Sequence, residues 1–436
     1  MEKRVVLIYP YFRERDPVQK LFQPLGISYL ASQLRDLGIP VAMVDCTFKT
    51  FESAISEIVS MNPALIGISI MVSQSRNALA LAQEIRTKLP ETLLVAGGPL
   101  PTLYPENFSS SFDVIFRGES DLIFPRFCRA YLDSSNPAGF LNNIYPRLFP
   151  GIYLTSQSGI VCSPSIHHNV TELNKLPTPE RSGIDHAQYQ KCWQEAAGCK
   201  TASIMITRGC PFTCDFCSKP VWGNSFRKPA LDNVFNEITE ISALGYDQLW
   251  IADDSFTLDL NYLRDFCWQK LARKIPITWT CLSRTDGLDK DTVQLMQDAG
   301  CVKVYLGLES GSDETLRLMS KKTTVQGGID TAKLFDSVGI KTAGFFMIGY
   351  PGETMASIER TLKHALEMNL DEISFNVPYP LPGSALFARV SGIQQGEDWE
   401  RASAARFLYR SEFDESELKN RIAQTMSEFN NRKLPK

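Results

Sequence analysis

Histidine is nearly missing from this chain: four occur in 436 residues, and none precedes His167. A histidine-ligated metal is therefore excluded from the first 135 residues. No apolar run approaches the roughly 18 residues that a membrane span needs, so no membrane span is expected. The apolar run at the N-terminus, Val5-Val6-Leu7-Ile8-Tyr9, is too short for a secretory leader and reads as a first strand. Neither charge dominates: 45 Lys and Arg face 49 Asp and Glu, a net charge of −4. That balance argues against a dedicated nucleic-acid binder. Repeats and low-complexity segments are lacking too. What is present is a soluble globular composition, 44% apolar and 22% charged. The length implies two or three domains. Eleven cysteines without framework spacing fit a reducing cytoplasm.

Three of those cysteines are the exception. Cys210, Cys214 and Cys217 stand at C-x3-C-x2-C spacing just after Ala202–Ile206, a short apolar strand. Three thiolates so close can share one iron–sulfur cluster, which normally takes a fourth ligand. No fourth cysteine follows in the run, so one iron stays open for a small ligand. Half of a zinc site is the plainer alternative, but such sites pair C-x2-C knuckles or add histidines at set spacing. The flanking histidines are His186 and, far downstream, His364.

Strand and helix signals alternate along the first third. Strands are expected at Arg4–Tyr9, Val41–Val44, Leu65–Met71, Leu93–Ala96 and Val114–Phe116. Helices are expected between them and at Ile123–Leu132. This order implies a doubly wound parallel sheet, Rossmann-like, with ligands at the carboxyl ends of its strands. Those ends carry Ser69, Gly97-Gly98-Pro99 and Gly118-Glu119. The stretch 136–200 is weakly periodic and reads as a linker. It holds the adjacent His167 and His168, which point apart in an extended chain.

From Thr201 the alternation resumes. Six strand–helix units are expected, ending near residue 385: a partial (β/α)6 barrel. A helical tail covers 386–436. Nearly every strand end is polar: the cysteines, Asp253-Asp254, Arg284, Glu309-Ser310 and Glu353. Such barrels do chemistry at those ends.

The three cysteines, with Phe216 before the last, resemble the signature of radical S-adenosylmethionine (SAM) enzymes. The turns at Ser69, Gly97–Pro99 and Arg117–Ser120 resemble the cobalamin-binding domain that precedes many of them. The resemblance implies cofactors: a 4Fe–4S cluster on Cys210, Cys214 and Cys217, SAM on its open iron, and cobalamin in the first domain. It implies roles by position. Asp253 or Asp254 would meet the substrate or the SAM ammonium, and Arg284 a carboxylate or the substrate. Tyr305-Leu306-Gly307-Leu308-Glu309-Ser310 resembles a G-x-E-S strand end that takes the SAM ammonium and ribose. Gly349 lies in a G-x-P-G-E-T match beside the adenine, and Phe216 flanks the cofactor. The cobalt-ligating D-x-H-x-x-G loop is missing, so no histidine is expected below the cobalt. Methylation of an unreactive carbon of a small-molecule or peptide substrate is the implied activity, with an electron donor such as flavodoxin or ferredoxin. Ring closure, ring contraction or oxidation with the same cofactors is the alternative. A first domain without cobalamin and a non-catalytic iron–sulfur electron carrier or sensor are further ones.

Overall fold

A computed structural model describes residues 3–15, 20–156, 159–163, 169–219, 221–393 and 406–433. His167 and His168 lie outside the described residues. The chain divides into two compact units, Met1–Ala202 with Pro220–Gly245, and Ser203–Lys219 with Tyr246–Lys436.

In the first unit, apolar stretches without helical periodicity become buried strands. They are β1 (Val5–Tyr9), β2 (Val41–Asp45), β3 (Leu65–Ser69), β4 (Leu93–Gly97) and β5 (Val114–Phe116). Amphipathic segments between them become α1 (Leu25–Asp36), α2 (Phe51–Ser60) and α3 (Ser75–Lys88). A short α4 (Pro99–Leu103) follows β4, and α5 (Ile123–Leu132) follows β5. Helix α2 begins where Thr50 Oγ1 accepts from Ser53 N at 3.2 Å, a side-chain cap. The strand order is β2-β1-β3-β4-β5-β6-β7. The pairs among the first five are parallel. One core lies on each face of the sheet. Ile8, Ile66, Leu81 and Leu94 belong to the first, and Leu7, Leu34, Val95 and Phe127 to the second.

The sheet does not stop where the linker was expected to begin. After a short α6 (Pro137–Phe140), β6 (Ile152–Ser156) and β7 (Gly159–Cys162) extend it by antiparallel pairing. Helix α7 (His186–Ala197) is capped by Asp185, whose Oδ1 accepts from Gln188 N at 3.1 Å.

The second sheet has the order β13-β12-β11-β10-β9-β8, open at both edges. Its strands are β8 (Thr201–Ile204), β9 (Gln248–Ile251), β10 (Thr278–Ser283), β11 (Cys301–Glu309), β12 (Lys341–Met347) and β13 (Glu372–Asn376). Pairing from β9 to β13 is parallel throughout. The connecting helices are α8 (Leu231–Ala243), α9 (Leu260–Ala272), α10 (Lys290–Asp298), α11 (Asp313–Leu318), α12 (Val325–Ser337) and α13 (Met355–Glu367). A short α14 (Ala385–Arg389) and the tail helix α15 (Glu415–Lys433) complete the order. The side chains of Trp279, Phe346 and Leu308 point towards the helices. Trp279 meets Phe266 of α9 with ring centroids 5.7 Å apart, and Phe346 meets His364 of α13 at 6.3 Å. A Cβ added to Gly328 of α12 would stand 2.8 Å from Leu308.

Candidate functional site

The cysteine loop is held on three sides within the second unit. At its start, Asp253 fixes the exit from β8. Its Oδ1 accepts from Ile206 N at 2.7 Å, and its Oδ2 from Thr207 N at 2.8 Å and Thr207 Oγ1 at 2.7 Å. The carboxyl is buried, and burial pushes it up to about 7 against those hydrogen bonds. Its oxygens are turned to the backbone, so this aspartate positions the loop instead of facing a ligand. Gly209 then takes φ +85°, a left-handed turn immediately before Cys210.

In the middle of the loop, Asp215 is latched. Tyr350 OH donates to Asp215 Oδ2 at 2.6 Å, and Arg389 Nη2 lies 2.6 Å from the same oxygen. Leu386 N donates to Asp215 O at 2.9 Å. Phe216 packs its ring against the buried group of Met319, Tyr350 and Leu386. At its far end, Lys219 Nζ donates to Cys210 O at 2.8 Å and also to Phe212 O.

Cys210, Cys214 and Cys217 are partly exposed. Burial pushes the Cys210 thiol up and carries Cys217 to about 11, despite the Lys219 cation beside both. Loading of metal must therefore release protons from these thiols. Among the described residues, no three His, Cys, Asp or Glu side chains converge on a point fit for one metal ion. A cluster offers each thiolate its own iron, and that suits three partly open thiols along one loop.

The other strand ends supply the rim. Arg284 was expected to grip a carboxylate, and it does so internally. Its Nε donates to Asp286 Oδ1 at 2.8 Å and its Nη2 to Lys322 O at 2.9 Å. Its guanidinium carbon lies 3.5 Å from the centroid of the Phe212 ring, so it also braces the cysteine loop. Asp254 is exposed beside the loop. Crowding by protein holds its carboxyl above the ordinary range, while Lys219 and the Gly209 N–H act the other way.

Glu309 sits at a bulge, where the register of β11 against β12 shifts, and adopts φ +64°. A non-glycine residue in that region is strained, and such strain gathers at functional sites. Its Oε1 accepts from Lys321 Nζ at 2.8 Å in a buried ion pair. Ser310 turns away: its hydroxyl bonds Thr361 Oγ1 at 3.0 Å and accepts from Ser312 N at 3.1 Å. The Cβ position of Gly349 is filled, because an added Cβ would stand 2.6 Å from Phe407. Glu353 braces the same turn, with Oε2 accepting from Tyr350 N at 2.9 Å. Lys219, Lys321, Asp215, Tyr350 and Arg389 carry no motif signal, and sequence reasoning missed them.

In the first unit, the strand order places a switch point between β1 and β3, where such sheets open a crevice. Ser69, Gly97, Gly98 and Pro99 are partly exposed at these carboxyl ends. Gly98 takes φ +100°, and an added Cβ would stand 2.9 Å from Ile70 N, so only glycine fits. A Cβ on Gly97 would meet one atom within 4 Å, Phe116 O at 3.9 Å, so that turn leaves open space for a flat ligand. Thr102 ties the β4 and β5 turns: its Oγ1 donates to Gly98 O at 2.8 Å and accepts from Gly118 N at 2.9 Å.

Glu119 departs from the expected cofactor contact. Its Oε2 accepts from Val170 N at 2.9 Å and from Arg227 Nη1 at 2.6 Å, and its side chain is fully buried. It anchors the segment after β7 instead. A buried group missed in the sequence stands at the ends of β1 and β2. Tyr189 OH donates to Asp45 Oδ2 at 2.8 Å, and Thr47 Oγ1 donates to Asp45 Oδ1 at 2.5 Å. The glycine cradle fits cobalamin, and no histidine is available to the cobalt from residues 1–135.

Two family models match the chain: the B12 binding domain over residues 16–127 and the radical SAM superfamily over residues 204–365. An uncharacterised methyltransferase of Pyrococcus horikoshii is 28% identical over 371 residues, 84% of this chain and 77% of that protein. The anaerobic magnesium-protoporphyrin IX monomethyl ester cyclase of Rubrivivax gelatinosus is 26% identical over 98% of this chain and 77% of its own. Among solved structures, the radical SAM methyltransferase TsrM of Kitasatospora setae, with cobalamin and a [4Fe-4S] cluster bound, matches with TM-score 0.74 and 19% identity. That match covers 91% of this chain and 80% of TsrM. The cobalamin-dependent radical enzyme OxsB matches with TM-score 0.72 and 18% identity, over 86% of this chain but only 53% of OxsB. The chain thus carries a B12-binding domain ahead of a radical SAM domain, the domain pair of the cobalamin-dependent radical SAM enzymes.

Proposed function

We propose that this enzyme is a C-methyltransferase acting on an unactivated carbon of a small-molecule or peptide substrate. One observation carries the reading. A cobalamin cradle and a three-cysteine SAM loop share a chain whose relative in Pyrococcus horikoshii is named a methyltransferase. When bound, the cluster and SAM supply a carbon-centred radical, and cobalamin carries the methyl group.

The chain's own residues position these groups. Cys210, Cys214 and Cys217 hold the cluster. Glu309, strained at its bulge, offers a carboxylate to the SAM ammonium, with Lys321 paired to it at 2.8 Å. Asp254 is the open acid at the lip and is assigned to substrate or ammonium. Asp253 and Arg284 act through the loop they hold. Ser69 and Gly97–Pro99 line the corrin face. A flavodoxin or ferredoxin is the proposed electron donor and the cytoplasm the proposed compartment. No helix among the described residues is long and apolar enough to cross a membrane.

Ring closure is a second reading, favoured by the cyclase match along nearly the whole chain. Incubation with deuteromethyl SAM separates the two. Methyl transfer gives a deuteromethylated product, with 5′-deoxyadenosine and S-adenosylhomocysteine both formed. A product of unchanged carbon count, with 5′-deoxyadenosine alone, overturns the methyltransferase reading in favour of the cyclase.

A further inference from the structure

The turn after β5 is tied to the glycine cradle and leads into a polar cluster whose bonding is incomplete. Thr102 joins that turn to Gly98, and Glu119 follows at once, held by Val170 N and Arg227 Nη1. Arg227 comes from the segment between β8 and α8, yet that segment belongs to the first unit. Its Nη1 also donates to Val170 O at 2.7 Å. The Arg227 side chain is 9% exposed. Asn169 stands beside this clamp. Its Nδ2 donates to Ser225 Oγ at 2.7 Å and to Trp222 O at 3.2 Å.

Three polar atoms of the cluster have no partner. Arg227 Nε and Nη2 are buried donors without an acceptor, and Asn169 Oδ1 is a buried acceptor without a donor. Buried polar groups left unpaired are uncommon and costly, so each calls for an explanation. Nε and Nη2 lie along one edge of the guanidinium, so the two free donors form a fork. Glu119 already balances the Arg227 charge, which removes the need for a second anion. The complement of two donors and one acceptor is a neutral group with a carbonyl oxygen and an N–H. A primary carboxamide has both, and the rim of a corrin carries several on short arms.

We propose that Arg227 and Asn169 form a carboxamide site at the edge of the cobalamin cradle. The carbonyl oxygen of a corrin arm accepts from Arg227 Nε and Nη2, and its N–H donates to Asn169 Oδ1. Neither residue lies in the stretch matched by the B12 binding domain, residues 16–127. The inference rests on cobalamin binding by the first unit and is independent of methyl transfer.

Equilibrium dialysis of the full chain tests it with two ligands, hydroxocobalamin and cobinamide. Cobinamide keeps the amide arms but lacks the nucleotide phosphate. Arg227→Lys leaves a cation for Glu119 and removes the free fork. It should weaken both ligands about tenfold, the scale of one charge-assisted hydrogen bond. Lys175→Met, a change at an exposed ion pair on the segment after β7, should alter neither. Should Arg227→Lys fail to fold by circular dichroism, Arg227→Met combined with Glu119→Gln decides. That pair of changes removes both buried charges together and should weaken both ligands alike. Unchanged affinity for both ligands overturns the proposal. A loss confined to hydroxocobalamin assigns the fork to the phosphate and overturns the carboxamide. Equal weakening by Lys175→Met overturns it too. A wild-type chain that binds neither ligand overturns the cobalamin assignment along with this site. Wild-type binding that Arg227→Lys leaves intact overturns the site alone.

Discussion

Tyr350→Phe isolates the latch on the cysteine loop. Tyr350 is fully buried, and its hydroxyl reaches Asp215 Oδ2 at 2.6 Å. Phenylalanine keeps the ring, and thus the packing on Met319 and Leu386, so the change removes the short bond to Asp215 and the longer one from Arg389 Nη2 at 3.2 Å, and leaves little cavity. A hydrogen bond to a charged group contributes about 1.5–3 kcal/mol. Asp215 retains Arg389, but that arginine side chain is 43% exposed, and solvent-exposed pairing contributes only about 0–1 kcal/mol. The net loss should fall near 1.5–3 kcal/mol. For a unit of this size that lowers the melting temperature by roughly 3–12 °C. Calorimetry of the cluster-loaded enzyme reads the shift, and loss of cluster absorbance to an iron chelator should quicken with it. Tyr409→Phe is the comparison, because the Tyr409 hydroxyl reaches Gly349 O only at 3.4 Å. Its shift should be the smaller. An unshifted Tyr350→Phe with wild-type chelator resistance would refute the latch.

Asp253→Ala orphans the Ile206 and Thr207 N–H groups, each costing about 1–3 kcal/mol, and should lower iron content per chain after reconstitution. Wild-type iron loading and melting would contradict its assigned role. Burial holds Asp253 near 7, above the ordinary carboxylate value, so the folded chain keeps a proton that the unfolded chain has released. Stability should then fall as pH rises from about 4 to about 7, and Asp253→Ala should flatten that slope. Urea midpoints that rise with pH in this window would contradict the direction. Gly98→Ala should weaken cobalamin retention on gel filtration, because its Cβ would collide with Ile70 N. Unchanged cobalt per chain would count against the cradle. Paramagnetic resonance of the bound cob(II)alamin should show no strongly coupled axial histidine nitrogen.

Much of this fold was legible because both domains alternate apolar strands with amphipathic helices, and each signal is local. Strand β5 and helix α5 lie at the expected residues. Strands β6 and β7 were not read, because short antiparallel strands at the end of a sheet carry little periodicity. Helix α7 was hidden by its low apolarity. The cysteine loop was legible from spacing alone. The residues that hold their loop were not, since Asp215 and Tyr350 are 135 positions apart and no local pattern joins them. Glu119 shows the opposite error. Its strand-end position suggested a ligand contact, while its partner Arg227 lies 108 residues on. Arg284 was read as reaching outward, but the carboxylate it grips is Asp286, two residues along.

The most direct measurement compares wild type with the Cys210→Ala, Cys214→Ala, Cys217→Ala triple variant after anaerobic reconstitution with iron, sulfide and cobalamin. Iron, cobalt and 5′-deoxyadenosine are determined on the same samples. The account predicts that the variant loses the cluster and all SAM cleavage yet keeps its cobalamin, because the two cofactors are held by different units. A triple variant that still forms 5′-deoxyadenosine would contradict it.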